Sequence, residues 1–172
     1  MKNKIVKMKS KNVFVLIITI LIISGLFSFL FIIRTNNEGK DITEQCVRHG
    51  PKGIHLHPRL EIKINEDNFI IPKDIGIVSF SCMRPLHTHD ESGVVDNRAV
   101  IHVESKEIRS FALSEFFIIW DKPFNSTCIF DYCTDKGELK MFVNEKENLE
   151  FGNYTMQDED NIRIEYTTMG AK

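Results

Sequence analysis

Five of the six histidines in this 172-residue chain fall into three short-spaced groups. The groups are His55-Leu-His57, His87-Thr-His89-Asp90 and His102-Val-Glu104. Side chains two positions apart on a β-strand point to the same face, so each group presents two donors together. Imidazole and carboxylate groups are ligands that suit zinc, copper, iron, nickel and manganese. The pattern therefore predicts a transition-metal site.

We expect the metal ligands to come from these groups and from one nearby cysteine. The candidate ligands are His55, His57, His87, His89, His102, Glu104 and Cys82. Cys82 comes five positions before His87, so a thiolate could join the same ligand set. In the alternative interpretation the histidines are polar residues of a hydrogen-bonded network, since a single His-x-His pair is common without a metal. Three such groups close together favour the metal site.

Alternating apolar and polar residues predict that these groups belong to a mainly β domain. The stretch Leu60–Ile64 alternates, Asn65–Asn68 is turn-like and Phe69–Pro72 is apolar, which predicts a hairpin. Residues 75–80 and 99–104 predict two further strands. In the C-terminal third, the Leu, Asn and Glu of the first hairpin recur at Leu139, Asn144 and Glu145, and an alternating strand closes the chain.

One segment has helical periodicity. Its apolar residues recur at i, i+3, i+4 and i+7, with Ser110 as the expected N-cap. They are Leu113, Phe116, Phe117 and Trp120, and we expect the three aromatic residues to be buried. The predicted fold class is therefore α+β, mainly β: a small antiparallel or mixed sheet with one packed helix, for which a β-grasp-like arrangement is one candidate.

The N-terminal region predicts a membrane anchor. Residues 13–33 form an uncharged apolar run, about 30 Å long as a helix. The lysine-rich segment 1–12 places the N-terminus in the cytoplasm by the positive-inside rule. Residues 34–53 then form a stalk, and residues 54–172 an extracytoplasmic domain. A cleaved signal peptide is the alternative, but its apolar region would be shorter and would end in a small-x-small site.

The charge distribution and the cysteines agree with export. The first 34 residues hold six of the 22 basic residues and no acid, so the remainder carries 24 acids against 16 bases. This acidic body excludes nucleic acid as a partner and leaves the lipid bilayer, and a membrane protein complex, as the expected ones. All four cysteines lie on the exported side, where disulfides persist, and their three complete pairings all stay open.

Part of the chain resembles a family of membrane-anchored exported proteins from archaea, ammonia oxidisers among them, and bacteria. The resemblance is carried by Cys82-Met-Arg-Pro-Leu-His-Thr-His-Asp90, Gly93 and Ile101-His-Val-Glu104, and it covers most of the exported domain. It implies no particular activity, because that family has no established function. The copper-rich physiology of ammonia oxidisers implies copper by association only.

Three functions are compatible with these residues. The leading hypothesis is a membrane-anchored extracytoplasmic protein that binds copper or zinc, for metal capture, for delivery or as an accessory subunit of a membrane enzyme. The second is a metal-dependent enzyme with an open coordination position and an acid or base such as Glu104 or Asp90. The third is a structural subunit whose histidines form a polar network. Whether the protein is an enzyme stays open at this point.

Overall fold

The computed structural model describes residues 19–25, 41–47, 53–93 and 96–170. The chain divides into two units, Met1–Gly39 and Lys40–Lys172. In the first unit, residues 19–25 form a helix, α1, with exposed side chains.

This helix is the described part of the predicted membrane segment. The rest of residues 13–33, and the basic segment 1–12, lie outside the described residues. In the part of the chain that the structure describes, no helix is both long enough and apolar enough to cross a membrane. Within α1 the Ser24 hydroxyl donates a hydrogen bond to the Leu21 carbonyl at 3.0 Å, so its polar group bonds to its own helix.

The second unit is mainly β and carries one packed helix, which confirms that part of the predicted fold class. Its strands are β1 Ile54–Leu56, β2 Arg59–Ile64, β3 Asp67–Asn68, β4 Ile77–Ser79, β5 Cys82–Met83, β6 Leu86–His87, β7 Ala99–Val100, β8 His102–Ser105, β9 Cys128–Ile129, β10 Tyr132–Cys133, β11 Gly137–Val143, β12 Lys146–Glu147 and β13 Asn161–Thr168. The helix α2 covers Leu113–Ile119, and a short 3-10 helix covers Phe151–Asn153.

The largest sheet has the order β12–β11–β13–β2–β3, and β7 also pairs with β2. Its two central strands, β13 and β2, run parallel, while the other pairs are antiparallel. The parallel register places Ile162 beside Leu60 and Ile164 beside Ile62. All four side chains are at most 1% exposed, so the apolar half of each alternating strand forms the sheet's contribution to the core.

Two hairpins with the same turn explain the repeat seen in the sequence. β2–β3 turns at Asn65-Glu66, and β11–β12 turns at Asn144-Glu145. All four turn residues have φ between 50° and 71°, the backbone conformation of a two-residue hairpin loop that suits right-twisted strands. Asparagine tolerates positive φ better than most residues, which favours the turn at these two places.

The predicted second strand of the first hairpin is wrong in extent. The Phe69 N–H still donates to the Ile62 carbonyl of β2 at 2.8 Å. Residues 70–72 then leave the sheet, and the Ile71 N–H donates to the Ser92 hydroxyl at 2.8 Å instead of to a neighbouring strand. The strand predicted over 99–104 is in fact two strands, β7 and β8, which belong to different sheets. Ile101 lies between them and is fully buried.

Helix α2 packs its aromatic face as predicted but begins two residues later than expected. Its N-cap is Ala112, whose N–H donates to the Glu115 carboxylate at 2.9 Å. Ser110 is therefore not the cap. Phe116 and Phe117 are at most 1% exposed.

Trp120 lies at the C-cap of this helix and is only half-buried. Its ring still packs against four phenylalanines of the core and its rim. They are Phe69, Phe116, Phe117 and Phe130. Trp120 thus packs against the core as expected, but it is less buried than Phe116 and Phe117 because the helix ends at the edge of the core.

Two disulfides resolve the open pairing of the cysteines: Cys46 with Cys82, and Cys128 with Cys133. The first joins residues 41–47 to the domain, and the Val47 N–H donates to the Met83 carbonyl at 2.8 Å. Residues 41–47 fall in the predicted stalk, yet they lie against the domain and belong to the unit that begins at Lys40.

The burial pattern of α2 leads to a stability prediction. We expect Phe117→Ala to lower the free energy of unfolding by about 3–5 kcal/mol, because it removes a fully buried ring. The neighbouring side chain of Ile118 is 54% exposed. Ile118→Ala is therefore the matched control and should change stability by less than about 0.5 kcal/mol. Denaturant unfolding followed by the fluorescence of the single tryptophan measures both; equal losses would contradict the burial pattern.

Candidate metal centre

The histidine groups meet on a three-stranded antiparallel sheet with the order β1–β8–β6. In its register His55 lies opposite Glu104, and His87 lies opposite His102. Directly opposed residues project to the same face of a sheet, as do His102 and Glu104 two positions apart. The register therefore brings all three groups to one face.

The imidazole rings of all five histidines lie close together, with His102 in the middle. The ring centre of His102 is 4.7 Å from that of His89, 5.0 Å from His57 and 5.4 Å from His87. His55 is farther, at 6.5 Å from His102, but only 4.5 Å from His57. The rings of His87 and His89 are 4.9 Å apart.

Two groups of three histidines are compact enough to hold a metal ion. One is His55, His57 and His102; the other is His87, His89 and His102. Within each group, one nitrogen from each ring lies within 4.8 Å of the others. Zinc–nitrogen bonds of about 2.0–2.1 Å set ligand atoms at most about 4.2 Å apart, so small rotations of the rings would bring them to bonding distance.

The loop that carries His87 and His89 is held by the threonine between them. Thr88 is fully buried, its hydroxyl donates to the Pro72 carbonyl at 3.1 Å, and it accepts from the Ile75 N–H at 3.1 Å. With Thr88 anchored on the core side, both neighbouring histidines extend toward His102. The loop thus holds its two imidazoles in place before any ligand binds.

The contact of the buried His87 ring indicates which of its two nitrogens carries the proton. His87 is fully buried, and its Nδ1 lies 3.0 Å from the Arg84 carbonyl oxygen. A carbonyl only accepts, so this contact assigns the proton to Nδ1 and leaves Nε2 as the basic nitrogen. A backbone carbonyl holding the second ring nitrogen is the usual arrangement for metal-binding histidines.

His102 carries the polar atom that most needs a partner. Its Nδ1 is buried and has no hydrogen-bond partner among the described residues. An unpaired buried polar atom costs about 1–3 kcal/mol, so native structures rarely keep one without a reason. A bound cation at this nitrogen would satisfy it, and the nitrogen donor set fits copper or zinc.

Two carboxylates lie beside the His55–His57 pair of the cluster. Glu104 is buried, and its Oε1 lies 3.4 Å from His55 Nε2. Asp158 Oδ1 lies 3.7 Å from His57 Nδ1 and accepts a hydrogen bond from the His57 backbone N–H at 2.8 Å. Within the described ranges, Glu104 is not part of any compact group of potential ligand atoms. It lies beside His55, where its carboxylate orients that imidazole ring.

Asp158 and its neighbour Glu159 are residues that the sequence reasoning missed. Together with His57 they form a third group of potential ligand atoms. Asp158 follows His57 by 101 residues and lies in an acidic turn. The sequence of that turn does not indicate which strand the turn contacts.

Cys82 is not an available ligand in this structure. Its sulfur is bonded to Cys46, and the other two cysteines are bonded to each other. A disulfide sulfur has no thiolate to donate to a metal. The predicted thiolate ligand is therefore wrong, and the donor set consists of nitrogen and oxygen.

Burial keeps His102 uncharged near neutral pH. Burial, followed by repulsion from His87, His89 and His57, lowers the pKa of His102 from 6.5 to about 4, although Glu104 opposes this shift. His102 is therefore neutral at pH 7. Neutral imidazole is the form that binds metals.

The chain matches no protein-family model, no curated protein and no solved structure. The resemblance described above therefore stays an expectation, and function is inferred from the geometry of the site.

The lowered pKa of His102 predicts a pH-dependent stability of the metal-free protein. Between pH 6.5 and about 4 the unfolded chain binds a proton at this residue and the folded chain does not. Its contribution to stability is therefore complete above pH 6.5 and is lost as the pH falls toward 4. Urea unfolding in the presence of EDTA should show this loss, and His102→Gln should lose less stability over the same range. Equal losses would contradict the assignment to His102.

Proposed function

We propose that this protein is a membrane-anchored extracytoplasmic protein that binds a transition metal, copper or zinc, through its histidine cluster. The observation that carries the proposal is the clustering of four imidazoles around the ring of His102, whose buried Nδ1 has no hydrogen-bond partner among the described residues. Its role is metal capture, delivery to a partner, or support of a membrane enzyme complex.

The donor set narrows the choice of metal. With all four cysteines in disulfides, imidazoles and carboxylates are the donors, and imidazole suits zinc and copper. Cysteine thiolates, which favour copper(I), do not take part. Copper(II) and zinc are therefore the ions to test first.

The two disulfides support an extracytoplasmic location, because such bonds persist in oxidising compartments. The apolar run 13–33 after a lysine-rich end supports a single-pass anchor with the N-terminus in the cytoplasm. The bilayer is the first partner, and a membrane protein complex would be the second.

We further propose a β-grasp-like arrangement for the domain. Strand β2 of the first hairpin pairs in parallel with β13, which pairs on its other side with β11 of the second hairpin. Helix α2 follows the first hairpin and precedes the second. The packed helix therefore lies in the connection between the two hairpins. A long connection is needed because β2 and β13 run parallel.

A second candidate function is a metal-dependent enzyme, favoured by one observation. A cavity of about 610 Å³ has His89 on its wall. The other lining residues are Asp74, Ile77, Ser79, Phe80, Ser81 and Met83. A metal bound at His89 could present an open coordination position to this cavity. Asp90, the other acid considered from the sequence, is exposed.

Elemental analysis of the purified full chain after loading with Zn²⁺ or Cu²⁺ tests the leading proposal. We expect the wild-type protein to retain metal and His102→Gln to lose most of it, because both groups of ligands include His102. His49→Gln is the matched control, since His49 is the one histidine outside the cluster groups. Affinity should fall as the pH drops below about 6.5. A wild-type protein that retains no metal would instead favour the polar network.

Topology has its own test. Protease added to spheroplasts should digest residues 41–170 and spare the N-terminal segment, because positive flanks stay in the cytoplasm. Complete protection of the domain until the membrane is opened would contradict the proposed orientation.

A further inference from the structure

The five histidines do not form a single set of ligands. Among the described residues, the compact groups made of histidines alone are two triads, and each combines one His-x-His pair with His102. Neither triad contains a histidine of the other pair. The other four histidines therefore divide into two pairs, and His102 belongs to both triads.

The two triads differ in that only one of them contains a fully buried histidine. The His55 side chain is 57% exposed, and Glu104 and Asp158 contact the His55–His57 pair. In the other triad, His87 is fully buried and held by the Arg84 carbonyl. We define the outer triad as His55, His57 and His102, and the inner triad as His87, His89 and His102.

His102 has the chemistry to serve both triads. An imidazole has two ring nitrogens, and either one binds a metal when it carries no proton. When both bind at once, the N–H proton is released to water and the ring bridges the two ions as an imidazolate. The ring centre of His102 is 5.0 Å from His57 of the outer triad and 4.7 Å from His89 of the inner triad. His102 therefore lies within reach of both His-x-His pairs.

We infer that the cluster provides two metal positions, one in each triad, with His102 as the ligand that they share. This inference rests on the proposed metal-binding function. The outer position faces solvent and carries flanking carboxylates, so it exchanges its ion quickly. The inner position takes one ligand from fully buried His87, which the Arg84 carbonyl holds in place, so it holds its ion longer.

Zinc binding by two double variants of the full chain tests the inference. His55→Gln/His57→Gln removes the outer pair, and His87→Gln/His89→Gln removes the inner pair. Each variant should still bind one Zn²⁺ in competition with a chromophoric chelator. The variant that keeps the inner triad should release its ion to excess EDTA more slowly than the one that keeps the outer triad. His102→Gln should lose zinc at both positions, and His49→Gln should behave as wild type.

Circular dichroism checks that each variant is folded, and His89→Gln alone replaces the inner double variant if the loss of buried His87 unfolds the chain. A folded double variant that binds no zinc, while the wild type does, would overturn the two-position inference and leave the proposed function standing. Release rates in the reverse order would also overturn it. A wild-type chain that binds no zinc would instead overturn the proposed function itself.

Discussion

The site depends on one pair of neighbouring chain segments that cross together from one sheet to another. β1 continues into β2, and β7 continues into β8, so the two segments pair in both sheets. At the crossing the Ile101 N–H donates to the Pro58 carbonyl at 2.9 Å. The two segments therefore remain hydrogen-bonded to each other where they pass from one sheet to the other. Because Ile101 is fully buried, the histidine sheet is attached to the core at this point.

This crossing explains where the histidines end up. His57 lies at the bend, where its backbone N–H is bonded to the Asp158 side chain. His102 begins β8 on the partner segment, directly after Ile101. The apolar core therefore positions two of the ligand candidates through the backbone, and a cluster held by a rigid scaffold keeps its geometry without a bound ion.

Burial sets the chemistry of the cluster. Removing His102 from water lowers its pKa to about 4 and leaves its Nδ1 without a hydrogen bond in the described part of the chain. The unpaired nitrogen costs stability, and a cation that takes its lone pair relieves this cost. A site that sacrifices stability in this way is typical of function, since a structural network would pair its buried nitrogens.

Local spacing in the sequence determined the secondary structure and the grouping of the ligands. Two-residue spacing placed each histidine pair on one face, and the recurring Asn-Glu placed two hairpin turns, because both depend on neighbours along the chain. Only the tertiary structure decided which groups meet. Asp158 contacts His57 across 101 residues, Cys82 pairs with Cys46, and Trp120 stays half-buried at the edge of the core. These outcomes depend on how the sheets pack and on contacts between residues far apart in the chain, and the alternation of side chains along a strand carries no information about them.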